Sequence, residues 1–182
     1  MSKAGLEAAQ RHAETLRSFK SPAAAEKYYY ARRDDLLRRL ERMCADEPDF
    51  TADYSVDSLK RIEKWYFALW EKDAFAETDD LKRIGKRIFS LWGKDAFAAT
   101  GMTRETLEKC MGAYFGEVVV RNRADARWTV KENAFAPGKY ELMVSEGHLY
   151  VAVDGIAGGL CTRPGNKSRT YLFRMYNKYF NR

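Results

Sequence analysis

Histidine and cysteine, the side chains that most often build zinc sites and catalytic dyads, are scarce in this chain of 182 residues. It has two histidines, His12 and His148, and three cysteines, Cys44, Cys110 and Cys161, with no CxxC pair. The odd number and wide spacing of the cysteines argue against a disulfide framework or a zinc site. We therefore expect no metal or other cofactor and no catalytic triad, and we expect each cysteine to be a small core residue.

Long apolar runs are also absent, and no stretch approaches the roughly 18 apolar residues that a membrane-spanning helix needs. Residues 1–20 lack the apolar central region of a signal peptide. We therefore expect a cytoplasmic protein that makes no membrane contact. The chain is 46% hydrophobic and 14% aromatic, which excludes a disordered protein and is sufficient to fill a sizeable core.

Acidic residues are missing from the end of the sequence, since none follows Asp154. The six basic residues of this tail are Arg163, Lys167, Arg169, Arg174, Lys178 and Arg182. The chain has 32 basic and 26 acidic residues, so without these six the charges balance, and the net charge of +6 belongs to the tail. Because aromatic residues are interleaved with the cations, three interpretations stay open: a solvated helix face, a site for an acidic protein, or a site for nucleic acid.

What the sequence does contain is a repeat with a period of 22. Residues 57–78 and 79–100 are identical at 15 of 22 positions. In each copy the apolar residues recur at spacings of three, four and three, which predicts an amphipathic helix followed by a connection. These residues are Leu59, Ile62, Tyr66 and Leu69 in the first copy and Leu81, Ile84, Ile88 and Leu91 in the second.

The positions at which the two copies differ are expected mostly to face outward. They include Glu63/Gly85, Trp65/Arg87, Ala68/Ser90, Glu71/Gly93 and Glu77/Ala99, whereas Tyr66/Ile88 is a swap within the apolar stripe. Since an arginine replaces Trp65 in the second copy, that indole is either a packed residue or an exposed anchor for a partner.

The remainder of the first two thirds is also predicted to be helical. Residues 2–20 favour a sparsely apolar, weakly docked helix. Ser21 and the proline after it begin a second helix over residues 22–44. A long helix is predicted over residues 103–122, with a threonine as its cap and a break to a strand at Gly116 as the alternative.

After Asp125 the apolar period changes from 3.6 to 2, which predicts strands. Three alternating segments separated by turns indicate an antiparallel meander over about residues 126–154. A Gly-rich segment follows, with a short fourth strand as an option. An amphipathic helix closes the chain over about residues 168–181, with Ser168 as a possible cap.

The predicted fold class is therefore α+β. A helical N-terminal two thirds, which includes the duplicated helix unit, packs on a small antiparallel sheet of three to four strands and a C-terminal helix. We expect N-terminal helices in residues 1–48 and a single α+β domain in residues 49–182, with helices over about residues 56–122.

Two stretches, DYSVDSLKRIEKW and GAYFGEVVVRNRADARW, resemble an uncharacterised family of bacterial proteins. Its members carry DYSxxSL before an amphipathic helix, then GAYxGE, then a Trp that begins a small sheet, and some resemble polymorphic-toxin immunity proteins. The resemblance covers roughly residues 50–182, and the second copy of the helix unit departs from it. The matching residues are Asp53, Tyr54, Ser55, Ser58, Leu59, Gly112, Ala113, Tyr114, Gly116, Glu117 and Trp128.

Two further features are candidates for chemistry. Gly112 and Gly116 share one helix face, which predicts close approach of another element such as the sheet. Glu117 beside them is then either a packing or capping acid or a catalytic one. Arg163 and Lys167 lie in a Gly-rich loop before the last helix, which is either a turn-rich connection or an anion site.

These patterns lead to one functional expectation and one alternative. We expect a protein without enzymatic activity that acts by binding another protein, and the resemblance implies an immunity-like or adaptor-like role. The alternative is a nucleic-acid-binding protein that uses the basic C-terminal helix. The candidate interaction residues are Trp65, Glu117, Arg163, Lys167, Arg169, Arg174, Lys178 and Arg182.

Overall fold

The computed structural model describes residues 3–45, 47, 50–77, 101–163 and 166–181. The helices are α1 (Lys3–Thr15), α2 (Pro22–Cys44), α3 (Ser58–Glu77), α4 (Arg104–Asn122) and α5 (Tyr171–Phe180). The strands are β1 (Ala126–Glu132), β2 (Tyr140–Glu146) and β3 (Leu149–Ala152). The predicted α+β class is confirmed. The helix predicted for the second copy of the repeat lies outside the described residues.

The starts of two helices follow from capping residues in the sequence. Ser21 accepts a hydrogen bond from the Ala24 N–H at the beginning of α2, whose first residue is a proline. Thr103 accepts from the Thr106 N–H at 3.2 Å and caps α4. Both boundaries agree with the prediction. Because α4 continues through Gly116, the alternative of a strand beginning there is wrong.

The first helix is shorter than predicted, because the chain after it pairs with the β1–β2 hairpin. α1 ends at Thr15 and does not continue to residue 20. Ser18 forms an antiparallel bridge with Lys139, and the Phe19 N–H donates to the Gly138 carbonyl at 2.9 Å. Backbone groups that pair with the hairpin are no longer available to the helix. These tertiary contacts dock the end of α1.

The three strands form the predicted antiparallel meander in the order β1-β2-β3. Trp128 pairs with Val144, which pairs in turn with Val151. These residues lie on the inner face of the sheet, which packs on α2 and α4. After β3 the chain forms two short 3₁₀ turns, Leu160–Thr162 and Asn166–Ser168, and no fourth strand joins the sheet in the described part of the chain.

Two of the three cysteines are core residues, as the sequence predicts. Cys44 and Cys110 are buried, Cys161 is half-buried, and all three are free thiols. Burial raises the pKa of both Cys44 and Cys110 to about 12. These two thiols are therefore protonated at neutral pH and behave as small apolar side chains.

Two glycines allow α4 to approach the sheet closely. A Cβ atom on Gly112 would lie 2.5 Å from the Val153 carbonyl oxygen, and one on Gly116 would lie 2.1 Å from the Trp128 ring. Real Cβ atoms do not approach other heavy atoms that closely. The predicted close contact between this helix face and the sheet is therefore confirmed.

We expect the substitution Gly112→Ala to destabilise the protein. Alanine improves helix propensity by about 1 kcal/mol, but its Cβ collides with a backbone carbonyl that cannot rotate away. The expected net loss is about 1–3 kcal/mol of unfolding free energy, measured by urea titration. Lys109→Ala, at a partly exposed position of the same helix, is the control and should change stability by less than about 0.5 kcal/mol. A more stable Gly112→Ala protein would contradict the close contact.

Candidate functional site

The DYS segment forms a firmly held turn before α3. Tyr54 has a φ of +57°, in the left-handed region that is strained for a tyrosine. Its N–H donates to the Tyr114 hydroxyl at 3.1 Å, its carbonyl accepts from Asn122 Nδ2 at 2.8 Å, and its hydroxyl donates to Glu41 at 2.5 Å. The Tyr114 hydroxyl donates in turn to the buried Ser58 at 2.6 Å. Residues of three helices therefore fix one strained residue.

The polar residues around Tyr54 begin the helix of the first copy. Asp53 accepts from the Ser55 N–H at 2.9 Å and pairs with Arg61. The Ser55 hydroxyl accepts from the Ser58 N–H at 3.2 Å and so caps α3. These residues of the DYSxxSL stretch are used to build the turn and the helix start.

Glu117 joins α4 to the sheet. Its two carboxylate oxygens accept from Arg121 Nε at 2.8 Å and from Trp128 Nε1 at 3.0 Å. The Arg121 guanidinium lies 3.7 Å from the centroid of the Tyr54 ring, and the Arg33 guanidinium lies 5.4 Å from that of Trp128. Because both oxygens of Glu117 are engaged within the fold, the geometry favours the packing interpretation over a catalytic one.

Trp65 is a core residue. Its side chain is 4% exposed, and its ring stacks on Phe50 with the centroids 5.9 Å apart. The alternative in which Trp65 is an exposed anchor for a partner is therefore wrong. The spacing already contained this information, since Trp65 lies three residues after Ile62 and four before Leu69, on the same buried helix face.

Glu63 is a site residue that the sequence did not reveal. It is fully buried, and it accepts hydrogen bonds from the Tyr171 N–H at 2.9 Å and from the Leu172 N–H. A carboxylate at this position satisfies two donors at the start of α5 and interacts favourably with the helix dipole. The prediction that Ser168 caps α5 is wrong, because the Ser168 hydroxyl forms its hydrogen bond with the Thr170 hydroxyl. Burial raises the pKa of Glu63, although the two amide donors oppose the increase.

The same face of α3 holds the beginning of α5 by further contacts. Arg169, with a φ of +51°, forms an ion pair with Glu71, and its guanidinium lies 5.0 Å from the centroid of the Phe67 ring. Lys60 Nζ lies 3.8 Å from the centroid of the Phe173 ring. Together with the capping glutamate, these α3 residues recur at spacings of three, four and four, so they form one helix face. We call this face the α5-binding face.

The contacts of α3 show where the two copies of the repeat differ. Four of the differing residues are buried in the first copy, namely Ser58, Glu63, Trp65 and Tyr66. The second copy has Asp80, Gly85, Arg87 and Ile88 at these positions. The expectation that Glu63 faces outward is therefore wrong, whereas Ala68 is exposed as expected. Both carboxylates of the α5-binding face correspond to glycines in the second copy.

Arg163 is committed to the loop in which it lies. Its guanidinium donates to the carbonyls of Gly158 and Gly155, each at 3.0 Å, and to the Tyr171 hydroxyl at 2.9 Å. It also lies 4.5 Å from the centroid of that tyrosine ring. These contacts favour the turn-rich connection over an open anion site at Arg163.

The other basic residues of the tail are divided by the fold. Arg169 pairs with α3, whereas Arg174 and Lys178 are exposed on α5. The buried face of α5 carries Leu172, Tyr176 and Phe180. The side chain of Lys167 and the whole of Arg182 lie outside the described residues, so the predictions for them stay predictions.

The face of the sheet that points away from α2 and α4 is the outer sheet face. Its strand residues are Arg127, Thr129, Lys131, Glu141, Met143, Ser145, Tyr150 and Ala152. Arg127, Lys131 and Tyr150 are exposed, and Lys131 Nζ lies 3.3 Å from the centroid of the Tyr150 ring. The alternation of the strands predicts which residues lie on this face, but it does not indicate which of them other parts of the chain cover.

The described part of the chain shows neither a membrane-spanning helix nor a cluster of metal-binding side chains. None of its helices has the length and apolar character needed to cross a bilayer. It also contains no group of three or more His, Cys, Asp or Glu residues placed to hold a metal ion.

Comparison with known proteins identifies a family. Residues 18–82 and 77–180 match the profile of the family described as uncharacterised protein YwmA. The two segments overlap at residues 77–82, where the first copy of the repeat ends and the second begins. No curated protein and no solved structure matches the chain. Because the matched segments together extend over residues 18–180, the protein belongs to the family described as uncharacterised protein YwmA.

Proposed function

We propose that the protein acts by binding another protein, in an immunity-like or adaptor-like role, and that it has no catalytic activity of its own. The observation that carries the proposal is the outer sheet face, on which Tyr150 is 41% exposed between cationic side chains. Tyrosine and arginine are enriched among the residues that dominate protein–protein binding energy. A rigid sheet also presents such side chains at little conformational cost.

Two of the candidate residues stabilise the fold. Glu117 and Arg163 form their hydrogen bonds with other groups of the same molecule. A reacting acid or base needs a group within reach of a substrate proton, and Glu117 instead bridges a helix and a strand. The resemblance to immunity proteins adds the expectation of one stoichiometric partner.

The proposal is tested by capture of a partner from a nuclease-treated lysate of the native host. The wild-type chain should recover one protein in stoichiometric amount, and Tyr150→Ala should weaken the complex by about tenfold or more. Leu6→Ala is the matched control, because Leu6 is similarly exposed but lies on α1, and it should retain the partner.

Two results would contradict this proposal. The first is the repeated absence of a partner together with turnover of a small substrate. The second is a complex that is recovered from an untreated lysate but not from the nuclease-treated one. This result would support the nucleic-acid alternative and its exposed cations, Arg174 and Lys178.

A further inference from the structure

We infer that the outer sheet face binds an acidic segment of the partner protein, an inference that rests on the proposed function and names its surface and the chemistry of its ligand. The segment would place carboxylates near Arg127 and Lys131 and an apolar side chain against Tyr150 and Met143. The charge, the packing and the shape of the face each support this choice.

The exposed charged strand residues of the outer sheet face are all positive. Arg127 and Lys131 lie two residues apart on β1 and are both exposed. Within the described residues, no ion pair joins either of them to a carboxylate. Glu141, the acidic residue among the strand positions of this face, is 5% exposed. A ligand therefore meets cations, and its carboxylates would gain an electrostatic interaction that the fold does not already provide.

The negative charge of Glu141 is engaged beneath the surface. Asn133 Nδ2 donates to its Oε1, and His12 Nε2 lies 3.6 Å from the same oxygen. Lys131 lies opposite Glu141 in the strand register, but its ammonium extends over the Tyr150 ring. The cation therefore stays at the surface, where a partner can reach it.

The contact between Lys131 and Tyr150 crosses the central strand. Lys131 belongs to β1 and Tyr150 to β3, so the two side chains reach toward each other across β2. Met143 of β2 is half-exposed and does not belong to the hydrophobic core. A carboxylate that draws the ammonium away from the ring would leave the tyrosine face and Met143 available to an apolar side chain.

The shape of the face favours a peptide over single-stranded nucleic acid. Sequence-tolerant binding of single strands uses several aromatic side chains on which successive bases stack. This face carries Tyr150 as its exposed aromatic strand residue, and an ammonium already covers one side of that ring. Ser145 and Ala152 beside it are small, which suits the close approach of an extended peptide.

The inference is tested with ¹⁵N-labelled full-length protein and a short synthetic peptide of glutamate and serine with one central leucine. We expect the peptide to shift the amide signals of β1, β2 and β3, including those of Arg127, Lys131 and Tyr150. Raising the salt from about 50 mM to about 500 mM should weaken binding by about tenfold, because exposed charges are screened. A peptide with lysine in place of glutamate should leave these signals unchanged.

Variants locate the site. Arg127→Gln combined with Lys131→Gln should weaken peptide binding by about tenfold, since both cations are lost. Glutamine is preferred to glutamate here because a glutamate at position 131 would face Glu141 across the strands. Arg38→Gln, which removes an exposed cation from α2, is the matched control and should bind as the wild type does. The amide spectrum of each variant also reports whether it is folded.

Three outcomes would overturn the inference. The peptide could shift only amide signals outside the outer sheet face, or the lysine peptide could bind equally well. In a parallel titration, a single-stranded oligothymidylate could bind the outer sheet face when the acidic peptide does not. Failure of the inference is distinguishable from failure of the proposed function. If a native protein partner is captured through Tyr150 while the acidic peptide does not bind, the proposed function stands and the ligand chemistry is wrong. If no protein partner is recovered and the protein turns over a small substrate, the proposed function fails independently of the peptide result.

Discussion

Deletion of residues 79–100 is expected to leave a folded protein, whereas deletion of residues 57–78 is expected to prevent folding. The two shortened chains have the same length and differ at only seven positions, because each retains one copy of the repeat. They form a matched pair in which the buried contacts of α3 are either kept or replaced. The expectation follows from the buried contacts that the structure gives to the first copy.

The replacements brought by the second copy are severe. Asp80, Gly85, Arg87 and Ile88 would take the places of Ser58, Glu63, Trp65 and Tyr66, all of which are buried. An arginine in the site of a packed indole buries an unpaired charge. The combined loss is about 5 kcal/mol or more, which is comparable to the whole stability of a typical domain.

We expect the chain to close without the second copy. Ser58 contacts Tyr114 and Tyr66 contacts Glu108, so α3 and α4 are antiparallel. The end of α3 and the beginning of α4 therefore lie at the same end of the molecule. After deletion of residues 79–100, the Thr78–Gly101 junction reproduces the Thr–Gly step that precedes α4 in the intact chain.

Circular dichroism and thermal unfolding of the two shortened proteins measure the difference. The chain that keeps residues 57–78 should unfold cooperatively, and the chain that keeps residues 79–100 should lack a cooperative transition. Equal stability of the two proteins would show that the buried differences between the copies do not matter. The substitutions Gly85→Glu, Arg87→Trp and Ile88→Tyr in the chain that keeps residues 79–100 should recover much of its folding.

Replacement of Glu63 should produce the second largest effect. Glu63→Ala leaves the N–H groups of Tyr171 and Leu172 buried without an acceptor, which is expected to destabilise the protein by about 2–4 kcal/mol. Glu63→Gln retains one acceptor oxygen but turns its NH₂ toward the other donor, so a loss of about 1–3 kcal/mol is expected. Glu71→Gln is the control on the same helix face. Its partly exposed pair with Arg169 contributes less than about 1 kcal/mol.

The effect of Glu63 should also depend on pH. Burial raises the pKa of Glu63 above the ordinary glutamate value of about 4.3, so the folded protein holds this proton more tightly than the unfolded chain does. The contribution of Glu63 to stability is therefore fully present below the unfolded-state pKa and is lost as pH rises through the folded-state pKa. Glutamine does not titrate, so Glu63→Gln lacks this dependence.

Urea titrations of the wild type and Glu63→Gln at a series of pH values measure this contribution. The difference in unfolding free energy should widen as pH falls from neutral toward the unfolded-state pKa. The other carboxyl groups are common to both proteins, so their titration cancels in the difference. A gap that narrows on acidification would mean that the amide donors outweigh burial and that the pKa of Glu63 is lowered.

Local patterns in the sequence predict those parts of the fold that depend on local interactions. Ser21 and the proline after it define the start of α2, strand alternation gives the sheet, and the spacing of Gly112 and Gly116 predicts the approach of the sheet. Each of these features needs only neighbouring residues or a repeating period. For that reason the fold class and most boundaries follow from the sequence alone.

The parts that the sequence did not predict depend on partners distant along the chain. The end of α1 is determined by a hairpin more than a hundred residues away, and the burial of Glu63 by the first residues of α5. A glutamate within an amphipathic helix ordinarily faces water, so nothing local indicates a buried cap. The outer sheet face is a further example. The exposure of Tyr150 depends on which parts of the chain cover the sheet, and these parts are distant in sequence.

The contact between Glu63 and the beginning of α5 also constrains how the chain folds during its synthesis. Glu63 and Leu172 are 109 residues apart, so α3 leaves the ribosome long before its partner is made. Until then the carboxylate has no amide donors, and water is the more favourable environment for it. We therefore expect α3 to reach its final packing only after α5 has been synthesised. A nascent chain stalled before residue 171 would expose an aromatic surface that chaperones recognise.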